Sequence, residues 1–273
     1  MYDLHTHSYC SDGTDAPELV AEKAAALGCT LFALTDHDTM SGVAAAKARA
    51  KELDLPFLTG CEIEAKYEDT LHILALGVDG ENPALRELLA KKEINRVDRN
   101  RRLGERLAEL GMDVSSALVE SRGSTTRANY AAALVKLGYA RDLADAFDRI
   151  LKRGCPAYVS QEHPSPEEVI GTIHAAGGTA VIAHPMKMKK CDPGTLIADM
   201  ARLGIDGVEA FYSTATEGQT KLFASLAREH GLLVTCGSDY HGGMRSYAPL
   251  GGAWRVSADL VKSEKILLNR YVR

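Results

Sequence analysis

Short apolar runs ending in histidine, aspartate or glutamate recur along this chain, separated by helix-period segments. Strand-length runs alternating with helices build a mainly parallel sheet covered by helices. Such a sheet brings the ends of its strands together on one side. The runs are Asp3-Leu4-His5-Thr6-His7 with Asp12 close behind, Leu34-Thr35-Asp36-His37, Gly60-Cys61-Glu62, Leu71-His72-Ile73, Ala183-His184-Pro185 and Gly237-Ser238-Asp239-Tyr240-His241. Six of the nine histidines lie in them, so the pattern concentrates imidazole at strand ends. The other three, His163, His174 and His230, fall in a polar loop or in helical segments and read as solvated or locally bonded.

The pattern predicts strands over 1–7, 30–35, 56–65, 71–78, 179–183, 207–211 and 232–237. Helices are expected over 16–27, 42–53, 166–176, 193–203 and 217–230, with Asp15 and Ser165 as N-caps, Pro17 near a start and Gly28 as a stop. The alternation breaks after Val78. A long helical stretch over 83–110 is followed by shorter ones over 116–121, 127–137 and 143–152, with no strand signal. The expected organisation is a barrel built from 1–82 and 157–273, interrupted by a helical insertion subdomain at 83–156. Seven strands carrying ligands at their ends imply a closed or nearly closed α/β barrel, one strand short of the usual eight. The charges of Arg96–Arg106 read as a solvated helix face.

Side chains two apart on a strand share a face, so His5 and His7 converge, as do Asp239 and His241. His72 begins its run instead of ending it. It reaches Glu62 if 63–67 extends past the rim and turns back near Glu68-Asp69. Imidazoles and carboxylates without thiolates suit Mn²⁺, Fe²⁺ or Zn²⁺ in a multinuclear hydrolytic site. The six cysteines form no CxxC pair, which argues against a disulfide framework or a zinc knuckle. Cys61 and Cys236 read as small buried hydrophobes. A net charge of −5 argues against coating nucleic acid through bulk positive charge. No leader is apparent and no apolar run nears the roughly 18–20 residues of a membrane span. A cytoplasmic protein without membrane association or obligate protein partner is expected.

Taken together, H-T-H-S-x-x-S-D-G, T-D-H-D-T, G-x-E, L-H-I-L, A-H-P and G-S-D-Y-H resemble the polymerase and histidinol phosphatase (PHP) family. The resemblance implies a distorted (β/α)7 barrel holding two or three divalent ions, Mn²⁺ first, with Fe²⁺ or Zn²⁺ as alternatives. It places His5, His7, Glu62 and Asp239 on a first metal. Glu62 bridges to a second, also held by His72 and His184, while Asp12, His37 and His241 hold a third. The insertion stretches R-A-N-Y-A-A-A-L-V-K-L-G-Y, D-A-F-D-R-I-L and G-C-P-A-Y-V resemble a bacterial branch that hydrolyses nucleoside 3′,5′-bisphosphates. Some of its members trim short RNA from the 5′ end.

The expected chemistry is hydrolysis of the 3′-phosphate by a metal-bridging hydroxide, its pKa lowered from about 15.7 to near 7. Glu62, Asp239 and His241 are the expected catalytic residues, with Asp239 also a candidate proton acceptor. Asp36 and Asp38 are candidates to orient imidazoles or to form strand-end turns. A second phosphate needs cations: Arg127, with Ser124, Thr125 and Thr126 beside it, and Lys187, Lys189 and Lys190 are candidates. Tyr158 and Tyr212 are candidates to stack on a base. Three alternatives use the same centre: a 5′-3′ exoribonuclease acting on short 5′-phosphorylated RNA, a histidinol-phosphate-type phosphatase, and a non-catalytic metal-binding module.

Overall fold

The computed structural model describes residues 1–68, 70–118 and 124–272. Within them seven strands hydrogen-bond in chain order: β1 (Tyr2–Asp3), β2 (Leu31–Leu34), β3 (Phe57–Lys66), β4 (Thr70–Leu76), β5 (Thr179–Ile182), β6 (Gly207–Tyr212) and β7 (Leu233–Gly237). The segment after β1 closes the sheet against β7. Leu4 N donates to Cys236 O (3.2 Å), Asp239 N to His5 O (2.8 Å) and His7 N to Tyr240 O (2.8 Å). The result is the nearly closed seven-stranded α/β barrel that the alternation implies.

One strand runs against the mainly parallel sheet, in line with the expected turn back near Glu68-Asp69. β4 runs antiparallel to both β3 and β5, while the other neighbouring pairs are parallel. Only residues 67–69 join β3 to β4, far fewer than the dozen or so a parallel crossover needs, so the chain must fold straight back. The reversal answers the His72 problem. The start of an antiparallel strand lies at the rim where the parallel strands end, and His72 pairs with Glu64, two residues beyond Glu62. Asp69 of the expected turn lies outside the described residues.

Helices α1 (Pro17–Ala26), α2 (Val43–Glu52), α6 (Pro166–Ala175), α7 (Pro193–Arg202), α8 (Glu217–Glu229) and α9 (Ala258–Tyr271) accompany the strands. Ser165 caps α6 as expected, its Oγ accepting from Glu168 N. Asp15 does not cap α1: Ala16 holds that position, and Asp15 binds Lys23 Nζ at 2.6 Å instead. Between β4 and α6 lie α3 (Pro83–Glu109), α4 (Arg127–Lys136) and α5 (Leu143–Ala146), which runs on through a wider turn at Phe147–Leu151. Leu103, Leu107, Tyr130, Leu134, Ile150 and Leu151 build an apolar core here, separate from the barrel core of Leu4, Ile63, Leu74, Val181 and Val208. The helix expected over 116–121 is a turn at 115–117, and 119–121 lie outside the described residues.

Helix α3 also corrects the reading of its charges. Its buried positions are Leu85, Leu88, Lys92, Arg96, Arg99, Leu103 and Leu107, the three-and-four spacing of a single face. Three cations therefore sit in the buried stripe, whereas Arg101, Arg102 and Arg106 stay outside, paired with Asp98, Glu105 and Glu109. Among the described residues no helix is long and apolar enough to cross a membrane.

Candidate metal centre

The segment 4–7 leaves β1 between the ends of β2 and β7, pinned by Thr35 N to Thr6 O (2.8 Å) and by the bonds to Tyr240. This holds His5 and His7 side by side, both with no exposed surface. His184 and Asp239 follow β5 and β7 directly and occupy the left-handed region at φ 30° and 56°. Asp38 does the same after β2, at φ 50°. Non-glycine residues rarely adopt this conformation, and its concentration at these strand ends marks backbone bent to aim side chains.

Glu62 is the hub. Its Oε2 lies 3.3 Å from His5 Nε2, 3.4 Å from His7 Nε2 and 2.9 Å from His37 Nδ1. Its Oε1 lies 2.8 Å from His72 Nδ1 and 3.0 Å from His184 Nε2. Burial pushes the carboxyl up, but His37, His5 and His72 outweigh it and hold Glu62 well below the usual carboxylate range. Asp239 Oδ1 lies 3.5 Å from His5 Nε2 and 3.2 Å from His7 Nε2. On the far side, Asp12 Oδ1 is 3.1 Å from His241 Nε2 and 3.8 Å from His37 Nε2. All nine strand-end residues thus converge. Three groups have ligand atoms close enough to share an ion: His5, His7, Glu62 and Asp239; His7, Asp12, His37 and His241; and His37, Glu62 and His72. His37 faces two of them, one with each ring nitrogen.

The donor set fits metal ions. His5 Nε2, His7 Nε2, His37 Nδ1, His241 Nε2, Asp12 Oδ1 and Glu62 Oε2 are buried and point inward, and although they approach one another to between 2.9 and 3.4 Å, none is aligned for a hydrogen bond. Buried polar atoms are ordinarily satisfied, so six orphans around one point call for a cation. Burial, then His241 and His37, hold His7 well below its ordinary value. Burial and Lys187 bring His184 down to about 3. Both are therefore neutral, the form that ligates.

Several residues that support this cluster escape sequence reasoning. Glu209, in β6, has no exposed surface and lies 3.0 Å from His5 Nδ1, while His184 N donates to its Oε2 at 2.7 Å. A lone glutamate inside Gly207-Val208-Glu209-Ala210 was the available signal. Asp239 Oδ2 accepts from Tyr212 OH (2.7 Å), Lys187 Nζ (2.8 Å) and Arg245 Nη1 (2.6 Å), and Arg245 was not anticipated. Asp36 and Asp38 contact no imidazole. Asp36 accepts from Ser8 N, Ser8 Oγ and Ser11 Oγ and so holds the 8–12 loop, while Asp38 pairs with Lys92 and Arg96, both at 3.0 Å.

The structure distributes the expected substrate residues unevenly. A cavity of about 230 Å³ opens over His37, His72, His184 and Asp239, with Lys187 and Arg245 in its wall. On the other flank Thr126 Oγ1 donates to Asp12 Oδ2 (3.1 Å), Arg127 follows it, and Ser124 is buried beside Cys10. Lys189 and Lys190 are exposed. Tyr158 lines a separate groove with Arg102 and Arg106. Tyr212 is spent on Asp239. Neither tyrosine is presented to a base over the centre.

The sequence profile of the PHP domain matches residues 3–176. A 5′-3′ exoribonuclease from Haemophilus influenzae is 37% identical over 247 residues, 88% of this chain and 89% of the relative. A 3′,5′-nucleoside bisphosphate phosphatase from Chromobacterium violaceum is 37% identical over 246 residues, 88% of this chain and 86% of the relative. The solved structure of an amidohydrolase from Chromobacterium violaceum, with bound sulfate and no metal, is 34% identical. It matches at a TM-score of 0.90 over 100% of this chain and 97% of its own.

Proposed function

This chain belongs to the PHP domain family of metal-dependent phosphoesterases, and we propose that it removes the 3′-phosphate of nucleoside 3′,5′-bisphosphates. The observation that carries the reading is the set of six buried, unpartnered ligand atoms around Glu62. In this reading His5, His7, Glu62 and Asp239 hold one divalent ion, Glu62, His72 and His184 a second, and Asp12, His37 and His241 a third. Imidazole and carboxylate ligands suit Mn²⁺, Fe²⁺ or Zn²⁺, and Mn²⁺ is the ion we favour from the family resemblance. Bound ions supply Lewis acidity and an activated water.

The chain's own groups do the rest. Glu62 turns one oxygen to His72 and His184 and the other to His5, His7 and His37, so it can serve two ions at once. Burial pushes Asp239 up, but Arg245 and Lys187 outweigh it and keep it well below the usual range. A carboxylate held so firmly charged is a weak base, so Asp239 acts as a ligand and anchor more than as a proton acceptor. His241, bonded through Nδ1 to Asp239 O at 2.8 Å, presents Nε2 to Asp12. Lys187 and Arg245 flank the cavity and offer charge-assisted bonds to phosphoryl oxygens. Ser124, Thr126 and Arg127 serve the opposite flank. The separate apolar core of 83–156 supports reading that stretch as a capping subdomain. Six free cysteines support a reducing compartment, and we place the protein in the cytoplasm.

A 5′-3′ exoribonuclease is the second reading, because a relative of that name stands at the same 37% identity as the phosphatase. Purified protein with Mn²⁺ is offered adenosine 3′,5′-bisphosphate, a 5′-phosphorylated oligoribonucleotide and histidinol phosphate. Phosphate release from the bisphosphate at the highest kcat/KM supports the first reading. Stepwise shortening of the RNA at the higher rate replaces it with the second, and turnover of histidinol phosphate alone rejects both. No metal-dependent turnover at all leaves a binding module.

A further inference from the structure

Asp15 gives up the cap of α1 for contacts that reach the metal centre from behind. Its Oδ2 accepts from Lys23 Nζ at 2.6 Å and from Tyr240 OH at 2.5 Å, and Lys23 Nζ also donates to the phenol oxygen at 2.9 Å. An ammonium can only donate, so the phenol spends its own proton on the carboxylate. Three elements meet in this triangle: the loop before α1, α1 itself and the segment after β7. Tyr240 stands between the ligands Asp239 and His241, buried in one apolar cluster with Val20, Ala24, Phe32 and Leu250.

The loop gripped in this way carries Asp12. Residues 8–15 form turns and bends with no helix or strand, so side chains must hold them. At the near end Asp36 takes Ser8 and Ser11. At the far end Thr14 N donates to His241 O (3.2 Å), Gly243 N to Thr14 Oγ1 (2.9 Å) and Tyr9 N to Asp15 O (2.8 Å). The fit is close, for a Cβ on Gly242 would collide with Thr14 Oγ1. Asp12 Oδ1 thus lies 3.1 Å from His241 Nε2 because the two segments that carry them are tied together. Asp12 is the sole carboxylate in the group His7, Asp12, His37 and His241. A loop ligand gains affinity when its position is fixed before the ion arrives.

We infer that Lys23, Asp15 and Tyr240 are positioning residues that hold the Asp12 loop against the end of β7, and so set how tightly the Asp12, His37 and His241 site binds its ion. The inference rests on the three-ion reading and names what controls one of its sites. None of the three is itself a ligand; they act through Asp12 and His241. Within the triangle the tie between the loop and β7 runs through one atom, the Tyr240 hydroxyl. Without it the Lys23–Asp15 pair remains, on a half-exposed lysine, where such a pair is worth little. The group His5, His7, Glu62 and Asp239 contains no residue of the loop. Its Asp239 is anchored separately, by Tyr212, Lys187 and Arg245. Loosening the triangle therefore weakens one site and spares the others.

The test titrates metal-stripped protein with Mn²⁺ by calorimetry, with no substrate present. Wild type should take up three ions, and Asp12→Ala, which removes the loop ligand, identifies the event that belongs to this site. Tyr240→Phe keeps the buried ring and should weaken that event by about 10-fold, the low end of what a lost supporting partner costs a metal site, while the other two stay unchanged. Asp15→Ala should do the same. Asp15→Asn keeps an acceptor for the phenol and should restore most of the affinity. Where Asp15→Ala does not fold, Tyr240→Phe decides. Equal weakening of every event, as general loosening of the fold would give, overturns the inference. So does an event as tight in Tyr240→Phe as in wild type, or an Asp12→Ala protein that keeps all three. A wild type that binds two ions ends the inference and leaves a two-metal phosphoesterase standing. No Mn²⁺ uptake at all rejects the metal reading and the inference together.

Discussion

Replacing Glu209 with glutamine should uncouple metal binding from folding. Both neighbours of this carboxylate donate to it: His5 through Nδ1–H, at 3.0 and 3.2 Å from the two oxygens, and His184 through its backbone N–H at 2.7 Å. The first bond leaves the lone pair of His5 on Nε2, the atom facing Glu62 and Asp239. Glutamine offers one oxygen and one NH₂ group. If the oxygen keeps His184, the NH₂ faces His5 Nδ1 and favours the tautomer with its proton on Nε2, where a metal must bind. One charge-assisted bond of about 1.5–3 kcal/mol is lost. That corresponds to about 10- to 150-fold in metal affinity, in line with the effect of losing such partners elsewhere. Titrating metal-stripped Glu209→Gln with Mn²⁺ by calorimetry, alongside turnover against Mn²⁺ concentration, measures it. Glu209→Asp retains the charge and should fall between. A folded Glu209→Gln protein that binds Mn²⁺ as tightly as wild type would refute the reasoning.

Asp38→Asn should cost about 3–5 kcal/mol in urea unfolding, because it strands the buried charges of Lys92 and Arg96. A loss below about 1 kcal/mol would mean that water reaches the pair. Burial lowers His37, but Glu62 and Asp12 outweigh it and carry the ring up to about 9. Below that pH metal binding must expel a proton from His37, and also from His5, which Glu209, Glu62 and Asp239 hold raised against its burial, so Mn²⁺ affinity should climb with pH through about 9; a flat profile excludes this. By the same linkage the metal-free protein loses the contribution of protonated His37 as pH rises from about 6.5 to about 9, which thermal melts in chelator would record. Gly237→Ala would drive a methyl group into the Glu209 carboxylate and His5 Cβ. It should destabilise by about 1–3 kcal/mol and weaken Mn²⁺ binding, and unchanged values in both measurements would contradict the packing described.

Much of the centre was legible because it is local. His5, His7, His37, Glu62, His184, Asp239 and His241 each end an apolar run, and a β/α alternation places such ends together wherever it closes. His72 was legible as a ligand together with the turn back near Glu68-Asp69 that brings it to Glu62, because a link this short after β3 cannot make a crossover. Arg96 and Arg99 misled because a run rich in arginine resembles a wet surface. Only the face that α3 turns inward shows them buried. Asp36 sits beside a ligand in sequence yet serves the serines of another loop.

The residue types at the strand ends, and hence imidazole and carboxylate chemistry at one rim, were determined by the sequence alone. Their partners were decided by tertiary structure: Glu209 meets His5 across 204 residues, and Glu62 divides its two oxygens among five imidazoles. The physical reason is desolvation. Closing the barrel between β1 and β7 strips water from every charged group inside, and each must then take whatever opposite charge or donor the closed geometry leaves within reach.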